Sequence, residues 1–288
     1  MKAMKRRALL LGIVALSLLS INSCRRNSQG ALGSSIDPGH DPNFKIVAHS
    51  DKGLSSFNRK VVVFGIDIYA APKLEDAKLL HAANVMAQYL DNDEDGEVDD
   101  PLVLEKMLEN KAFLVMWKRE RDLDIDVPRG RSGQDLGNDE THPEFVSNGK
   151  TREFDATLEE VLHLINHAGH SYAYPQAFGQ DFGSDLANAM DIARGGQFTD
   201  IPNPYPADAW YSYDDETCDY ASCQTIEYLY WALTSILGAQ ENRLDEIGHE
   251  WKLNTKQKVE ERDMAIYTLL THPIYKMPAT LPDGTYRH

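Results

Sequence analysis

The spacing of apolar residues predicts two strands and two helices between residue 60 and the middle of the chain. Residues 61–66 and 112–117 are short apolar runs of the kind found in buried strands. Residues 75–90 place apolar side chains on one face at helical spacing, which predicts an amphipathic helix. Asp100 followed by Pro101 is a typical N-cap with proline in the first turn, and it predicts a helix over 100–110.

The second half of the chain is predicted to be mostly helical. The charged, glycine-rich region 118–150 is typical of a loop with one short strand. Helices are predicted over 158–168, where Gly169 would end the helix, over 225–238, and near 240–251 and 256–271. The whole pattern predicts a helix-rich α+β fold in a single domain.

The first 23 residues are typical of a signal peptide. Basic residues precede an apolar run over 8–19, which is too short to span a bilayer because a spanning helix needs about 20 apolar residues. Ile21-Asn22-Ser23-Cys24 resembles the lipobox of bacterial lipoproteins, which implies cleavage before Cys24 and a lipid anchor on it. Arg25 stands where an aspartate would imply inner-membrane retention, so the resemblance implies the outer membrane. An ordinary secreted protein cleaved elsewhere is the alternative.

Composition separates the rest of the chain into a tether and a folded domain. Residues 24–60 are rich in glycine, serine, asparagine and proline and predict a flexible tether, which leaves 61–288 as the domain.

The chain carries a formal charge of −16, and loss of the four basic leader residues would make it −20. This charge argues against nucleic acid as a partner, because phosphate backbones are bound by basic patches.

Besides Cys24, the chain contains two further cysteines, Cys218 and Cys223. An even number of cysteines in an oxidising compartment predicts a disulfide that closes a small loop. A metal-binding cysteine pair is the alternative, although no second pair is present to complete such a site.

An acidic segment at 91–99 has the spacing of a calcium-binding loop. Aspartates alternate along the segment before Gly96, and calcium prefers six to eight oxygen ligands on a flexible loop. Leu102 stands where an EF-hand has its bidentate glutamate, so Asp100 is the candidate replacement; an acidic turn that caps the next helix is the alternative. The segment resembles the calcium loop of EF-hands and dockerins, which implies a structural calcium ion bound by Asp91, Asp93, Asp95, the backbone carbonyl of Glu97, and Asp99.

Histidines and glutamates are concentrated on one face of the helix predicted over 158–168. His163 and His167 lie one helical turn apart, the spacing that lets two imidazoles bind one zinc ion. Glu159, Glu160 and His170 fall with them within an arc of about 100°. Because an imidazole must be neutral to bind a metal, the affinity of such a site should fall at acid pH.

This arrangement is similar in part to the zinc helix of the zincin metallopeptidases. The His-Glu-x-x-His motif of that family would need glutamate at position 164, and the inverted form would need it at 166, where this chain has Leu164 and Asn166. The resemblance therefore implies zinc ligands at His163 and His167. It leaves the catalytic base, which activates the attacking water, to a preceding glutamate.

Both Glu159 and Glu160 are candidates for that base, and each also has other possible roles. Either carboxylate can bind the metal directly. Thr157 and Glu160 also have capping-box spacing, so Glu160 can serve only to close the helix start. Histidines near a helix end can likewise serve only to complement the helix dipole.

Glu227 is the candidate for the third zinc ligand. It lies in the apolar run 225–233, where a carboxylate needs a cation, either a metal ion or a base such as Arg194. Two histidines followed by a glutamate on a later helix is similar to the gluzincin branch of the zincins. His170 and the pair His249 and Glu250 are the second choices.

These features together predict a zinc-dependent hydrolase of the metallopeptidase kind, with a zincin-like fold and a peptide or protein substrate implied by the resemblance. The alternative is a non-enzymatic, calcium-stabilised surface lipoprotein that binds a partner, a glycan or a metal. The aromatic, proline-containing stretch 172–220 either lines a substrate cleft or packs on the core. Motifs for serine hydrolases, phosphate loops or dinucleotide binding are not present.

Overall fold

A mixed sheet forms the centre of the part of the chain that the computed structural model describes, residues 41–119 and 129–288. Its five strands lie side by side in chain order. The first three are antiparallel to one another, whereas the third, fourth and fifth are parallel. The strands are β1 (Val47–Ala48), β2 (Arg59–Val63), β3 (Ile66–Ala70), β4 (Phe113–Trp117) and β5 (Gly133–Gly137).

Helices make up most of the remaining described chain, so the predicted α+β fold class is confirmed. Two helices border π-helical turns, at Asn166–His170 and Tyr220–Gln224, and a 3₁₀ turn covers Pro273–Tyr275. The α-helices are α1 (Asp76–Leu90), α2 (Pro101–Glu109), α3 (Thr157–Ile165), α4 (Ser171–Ala173), α5 (Pro175–Phe178), α6 (Asp185–Arg194), α7 (Thr225–Ile236), α8 (Leu244–Ile247), α9 (Lys256–Arg262) and α10 (Met264–Thr271).

The two faces of the sheet are covered differently. Helices α1 and α3 pack on one face, and α3 also contacts α7 and the edge strand β5. On the other face, Leu54 and Phe57 pack with Tyr69, Phe113 and Val115. Every residue of β4 is buried, which explains why its sequence is apolar throughout instead of alternating.

The run 61–66 is not one strand, as the sequence predicted, but a tight hairpin. Val63 pairs with Ile66, so only two residues connect β2 to β3. These residues, Phe64 and Gly65, have φ values of 45° and 89°. Two positive φ values match the right-handed twist of the flanking strands, and Gly65 adopts such a conformation without strain.

The helix that carries the predicted metal ligands does not end at Gly169. It continues beyond α3 as the π-helical turn Asn166–His170. A Cβ at Gly169 would lie 2.7 Å from a methyl carbon of Val103 and 3.0 Å from Cγ of Met107. Gly169 therefore allows close packing against α2, and its predicted role as a helix terminator is wrong.

Two further helical predictions need correction. The stretch 172–220 contains α6, which Ser184 caps through its side chain and which ends at Gly195 in the left-handed conformation. The helix predicted over 256–271 is divided into α9 and α10 at Asp263, whose carboxylate accepts from the backbone N–H of Ile266. The helix predicted near 240–251 is limited to the short α8.

The folded body includes part of the predicted tether. Asp41 accepts a hydrogen bond from the side chain of Asn84 at 3.0 Å, and Leu54 and Phe57 are buried. The predicted leader and Cys24 lie outside the described residues. Within residues 41–119 and 129–288, no helix has the length and apolar character needed to cross a bilayer.

Candidate metal centre and its cleft

A cleft of about 1260 Å³ opens beside the edge strand β5 and the helix α3. Gln134 of β5 lines it together with His163 and His167. The opposite wall comes from the segment 199–224 and from Glu250. The predicted histidine helix thus faces a cavity large enough for several residues of a peptide, and part of the aromatic stretch forms its wall.

Glu159 and Glu160 lie close to His163, which lines this cleft. Each offers a ligand atom within 4.8 Å of the other two. Nδ1 of His163 lies 3.4 Å from a carboxylate oxygen of Glu160, which also accepts a hydrogen bond from the side chain of Gln134. One imidazole and two carboxylates at this spacing form a group that can hold a metal ion.

Glu160 does not take part in a capping box, which was the alternative role for it. The N-cap residue is Ala156, and no side chain caps the helix. Instead, Asp155 accepts from the backbone N–H of Thr157, at 3.3 Å. The carboxylate of Glu160 points toward β5 and His163 and not back to the helix start.

The structure brings Glu227 of α7 next to the same histidine. Glu227 is 2% exposed, and its Oε2 lies 3.5 Å from Nε2 of His163. Its other oxygen accepts a long hydrogen bond of 3.5 Å from the hydroxyl of Tyr213. The ring of Tyr230 meets the His163 ring edge-on. The two ring nitrogens of His163 therefore face carboxylates from two different helices.

His167 and His170 lie on the π-helical turn and take different positions. His167 lines the cleft, but its Nδ1 contacts the side-chain oxygen of Gln180 at 3.2 Å. Burial lowers the pKa of His167, although the hydrogen bond with Gln180 acts to raise it. Burial beside Phe178 lowers the pKa of His170 to about 4. Among the described residues, the close metal-capable group includes His163 but neither of these two histidines.

Arg194 was the alternative cation for Glu227, and His249 and Glu250 were second choices for the third metal ligand. Arg194 is fully buried, donates to the carbonyl of Phe198 at 2.9 Å and stacks on aromatic rings. His249 and Glu250 both line the cleft, with 3.5 Å between Nε2 and Oε1. Burial raises the pKa of Glu250 to about 7, helped by the negative charge of Glu227.

Two residues near the cluster were not identified from the sequence. Gln134 donates to Glu160, and Glu140 accepts from the backbone N–H of Gly137 at 2.6 Å. Burial and the charge of Glu160 raise the pKa of Glu140 to about 7. Both lie in the region predicted as loop with one short strand, and no local pattern distinguishes them from other polar residues there.

The acidic loop between α1 and α2 has its own cluster. Ligand atoms of Asp91, Asp93 and Asp95 lie within 4.8 Å of one another. The carboxylate of Asp99 accepts from the backbone N–H of Asn92 at 2.7 Å. Burial raises the pKa of Asp99, and the charges of Asp93 and Asp91 add to that effect. The side chain of Glu97, whose carbonyl was the predicted ligand, is exposed.

Asp100 is held by contacts other than the acidic loop. One carboxylate oxygen caps α2 through the N–H groups of Leu102 and Val103, and the other accepts from the hydroxyl of Tyr174 at 2.7 Å. Asp91 in turn accepts from the hydroxyl of Tyr286, so the C-terminal segment packs on the loop. Asp100 was the candidate replacement for the glutamate at position twelve of an EF-hand loop. Binding of calcium by this carboxylate would compete with its role as N-cap of α2.

Cys218 and Cys223 form the predicted disulfide and both line the cleft. The bond precedes α7, and the carbonyl of Cys218 accepts from the side chain of Gln224. The disulfide therefore fixes the turn that leads into the helix of Glu227.

Comparison with known proteins gave no match among protein-family models, curated proteins or solved structures.

Proposed function

We propose that the protein is a zinc-dependent hydrolase that acts on peptide bonds and that the cluster around His163 is its catalytic centre. The observation that carries this proposal is the close group of Glu159, Glu160 and His163, with the buried Glu227 beside His163 and His163 itself lining a peptide-sized cleft. One buried and two half-buried carboxylates around one imidazole concentrate negative charge, and a divalent cation bound there would balance it.

The proposed zinc ligands are Glu159, His163 and Glu227. Glu227 lies outside the close group of Glu159, Glu160 and His163, and its carboxylate would turn toward the ion on binding. Glu159 and His163 are four residues apart on α3, the spacing at which two side chains of a helix grip one ion. When the motif His-Glu-x-x-His is aligned with residues 159–163, Glu159 occupies the position of the first histidine. Glu160 occupies the position of the glutamate, and His163 that of the second histidine. His167, a ligand in the sequence-based prediction, contacts Gln180 instead.

Glu160 is the proposed general base. A zinc ion in this site would lower the pKa of a bound water and polarise the scissile carbonyl. Glu160 would accept the proton of the attacking water, while Gln134 holds its carboxylate in place. Burial and the charge of Glu160 raise the pKa of Glu140 to about 7, so its neutral form, which adds no competing negative charge, is populated near neutral pH.

The acidic loop is proposed as a structural calcium site. Asp91, Asp93 and Asp95 offer closely spaced oxygens between two helices, and calcium accepts such a shell without strict geometry. The site lies away from the cleft residues, which supports a role in stability and not in turnover. We also propose that the protein is held by lipid on Cys24 outside the cytoplasm, on the lipobox resemblance alone.

The metal content of the full-length protein, purified without chelator, tests the zinc site. Wild-type protein should contain about one zinc ion per chain, as catalytic zinc sites do. His163→Gln should lose this zinc, whereas His167→Gln should retain it. Loss in both variants would instead support the ligand pair predicted from the sequence, and absence of zinc from wild type would end the proposal.

Hydrolysis tests the role of Glu160. Glu160→Gln keeps the size of the side chain but removes its basicity, so it should retain zinc and lose at least about a hundredfold in kcat on a quenched peptide library. His249→Gln, an exposed residue of the same cleft, is the matched control for zinc content. A Glu160→Gln protein with wild-type kcat would contradict the mechanism.

A further inference from the structure

The wall of the cleft opposite α3 is strongly acidic. Among the described residues that line the cleft, none is a lysine or an arginine. An acidic wall of this kind attracts cations and repels anions. The acidic lining residues are Asp200, Asp214, Asp215, Glu216, Asp219 and Glu250.

These acids differ in whether their carboxylates accept hydrogen bonds from neighbouring residues. Asp215 accepts from the N–H and hydroxyl of Thr217, and Asp219 accepts in the same way from Ser222. Both therefore stabilise local turns. Glu250 is partly buried, and Oε1 of its carboxylate lies 3.5 Å from Nε2 of His249.

Glu250 lies in an environment with too little positive charge. Its pKa is raised to about 7 by burial, and the negative charge of Asp214 adds to that effect, although His249 opposes it. Asp214 is exposed and belongs to the segment that forms the same wall. A cation bound between Asp214 and Glu250 would relieve this repulsion.

Gln224 provides an independent indication that a ligand donor belongs here. This residue is 1% exposed and lines the cleft, and its Nε2 donates to the carbonyl of Cys218 at 2.8 Å. Its Oε1 has no hydrogen-bond partner. A buried acceptor without a donor is destabilising, so a ligand N–H group in the cleft would improve its surroundings.

The same wall offers apolar surface for a long side chain. Tyr213 and Ile226 line the cleft near the acids. Lysine and arginine combine an apolar stem with a cationic, donor-rich end, and this combination matches apolar surface beside carboxylates and an amide oxygen.

We propose that Glu250, Asp214 and Gln224 form a specificity pocket for a lysine or arginine side chain of the peptide substrate. This inference rests on the proposed hydrolase function, because it assigns the substrate class of the same cleft. It adds a prediction that the metal cluster alone does not make: peptides with a basic residue near the cleaved bond are preferred.

The test uses full-length protein and quenched peptides that differ at one position, scanned along the peptide. The position holds lysine, norleucine or glutamate, and norleucine keeps the aliphatic stem of lysine without its charge. We expect kcat/KM for the best lysine peptide to exceed that of its norleucine match by about tenfold or more. Glu250→Gln and Asp214→Asn should each reduce this ratio, whereas Asp245→Asn, an exposed acid of α8, should leave it at the wild-type value.

Binding of a labelled lysine peptide to Glu160→Gln protein, followed by fluorescence anisotropy, separates the two proposals. Hydrolysis without any preference for lysine would overturn the pocket and leave the hydrolase standing. Binding that prefers lysine over glutamate and depends on Glu250, without hydrolysis by wild type, would support the pocket and overturn the hydrolase. Neither hydrolysis nor preferential binding would overturn both.

Discussion

The buried His170 should make the protein sensitive to mild acid. An unfolded histidine has a pKa of about 6.5, whereas burial lowers the pKa of His170 to about 4 in the folded protein. Below pH 6.5 the unfolded chain therefore gains a proton at this residue that the folded chain cannot accept. The free energy of unfolding falls as the pH falls, until the folded protein also binds the proton near pH 4.

The size of this effect follows from the difference between the two pKa values. Each pH unit between them lowers the free energy of unfolding by about 1.4 kcal/mol. Between pH 7.5 and pH 4.5, His170 should thus remove about 2.5 kcal/mol of stability. His170→Phe keeps a planar ring beside Phe178 but cannot titrate. Its free energy of unfolding should therefore fall by about 2.5 kcal/mol less than that of the wild type between pH 7.5 and pH 4.5.

Urea unfolding of the wild type and His170→Phe at both pH values measures the difference directly, because carboxylates titrate equally in both proteins. His272→Gln is the matched control: this histidine is exposed, and the pH dependence of the variant should follow the wild type. If wild type and His170→Phe lose the same stability between pH 7.5 and 4.5, the proposed neutral state of His170 is refuted.

Three further changes test other parts of the structure. Gly169→Ala should lower stability by about 1–3 kcal/mol, visible as a lower Tm, because its Cβ would overlap Val103. Asp155→Asn leaves the buried His81 without its carboxylate partner at 2.6 Å and should cost about 3 kcal/mol at neutral pH in urea unfolding; an unchanged midpoint would show that the pair contributes nothing. Calcium at about 100 times its Kd should raise the free energy of unfolding of the wild type by about 2.7 kcal/mol. Asp93→Ala removes one of the proposed ligands and should not be stabilised in this way. Equal stabilisation of both proteins would show that calcium binds elsewhere.

Helices with regular spacing and clear ends were predictable from the sequence. The helix α1 begins and ends within one residue of its predicted range, and the capped start of α2 at Asp100 is confirmed. The helix α6 was missed, although Ser184 and Gly195 carry start and stop signals, because aromatic residues and prolines dominate the surrounding stretch. The β2–β3 hairpin was missed because the apolar run continues through its turn.

The candidate site was predictable only in part, and the reason is geometric. Glu227 was identified because a carboxylate in an apolar helix needs a partner, and His163 is that neighbour at 3.5 Å. His167 was expected beside His163 from ideal helical spacing, but the chain becomes π-helical at Asn166. Gln134 and Glu140 come from a distant strand and loop, and helix periodicity carries no information about such long-range contacts.

Both helices of the candidate centre border a π-helical turn. The turn Asn166–His170 follows the helix of His163, and the turn Tyr220–Gln224 precedes the helix of Glu227. A π-helical turn, with hydrogen bonds from residue i to i+5, widens the backbone, is rare and is frequently found at functional sites. The first turn carries His167, which contacts Gln180 and not His163, and the second ends at Gln224, which lines the cleft. The two irregularities therefore border the proposed metal ligands and the proposed specificity pocket.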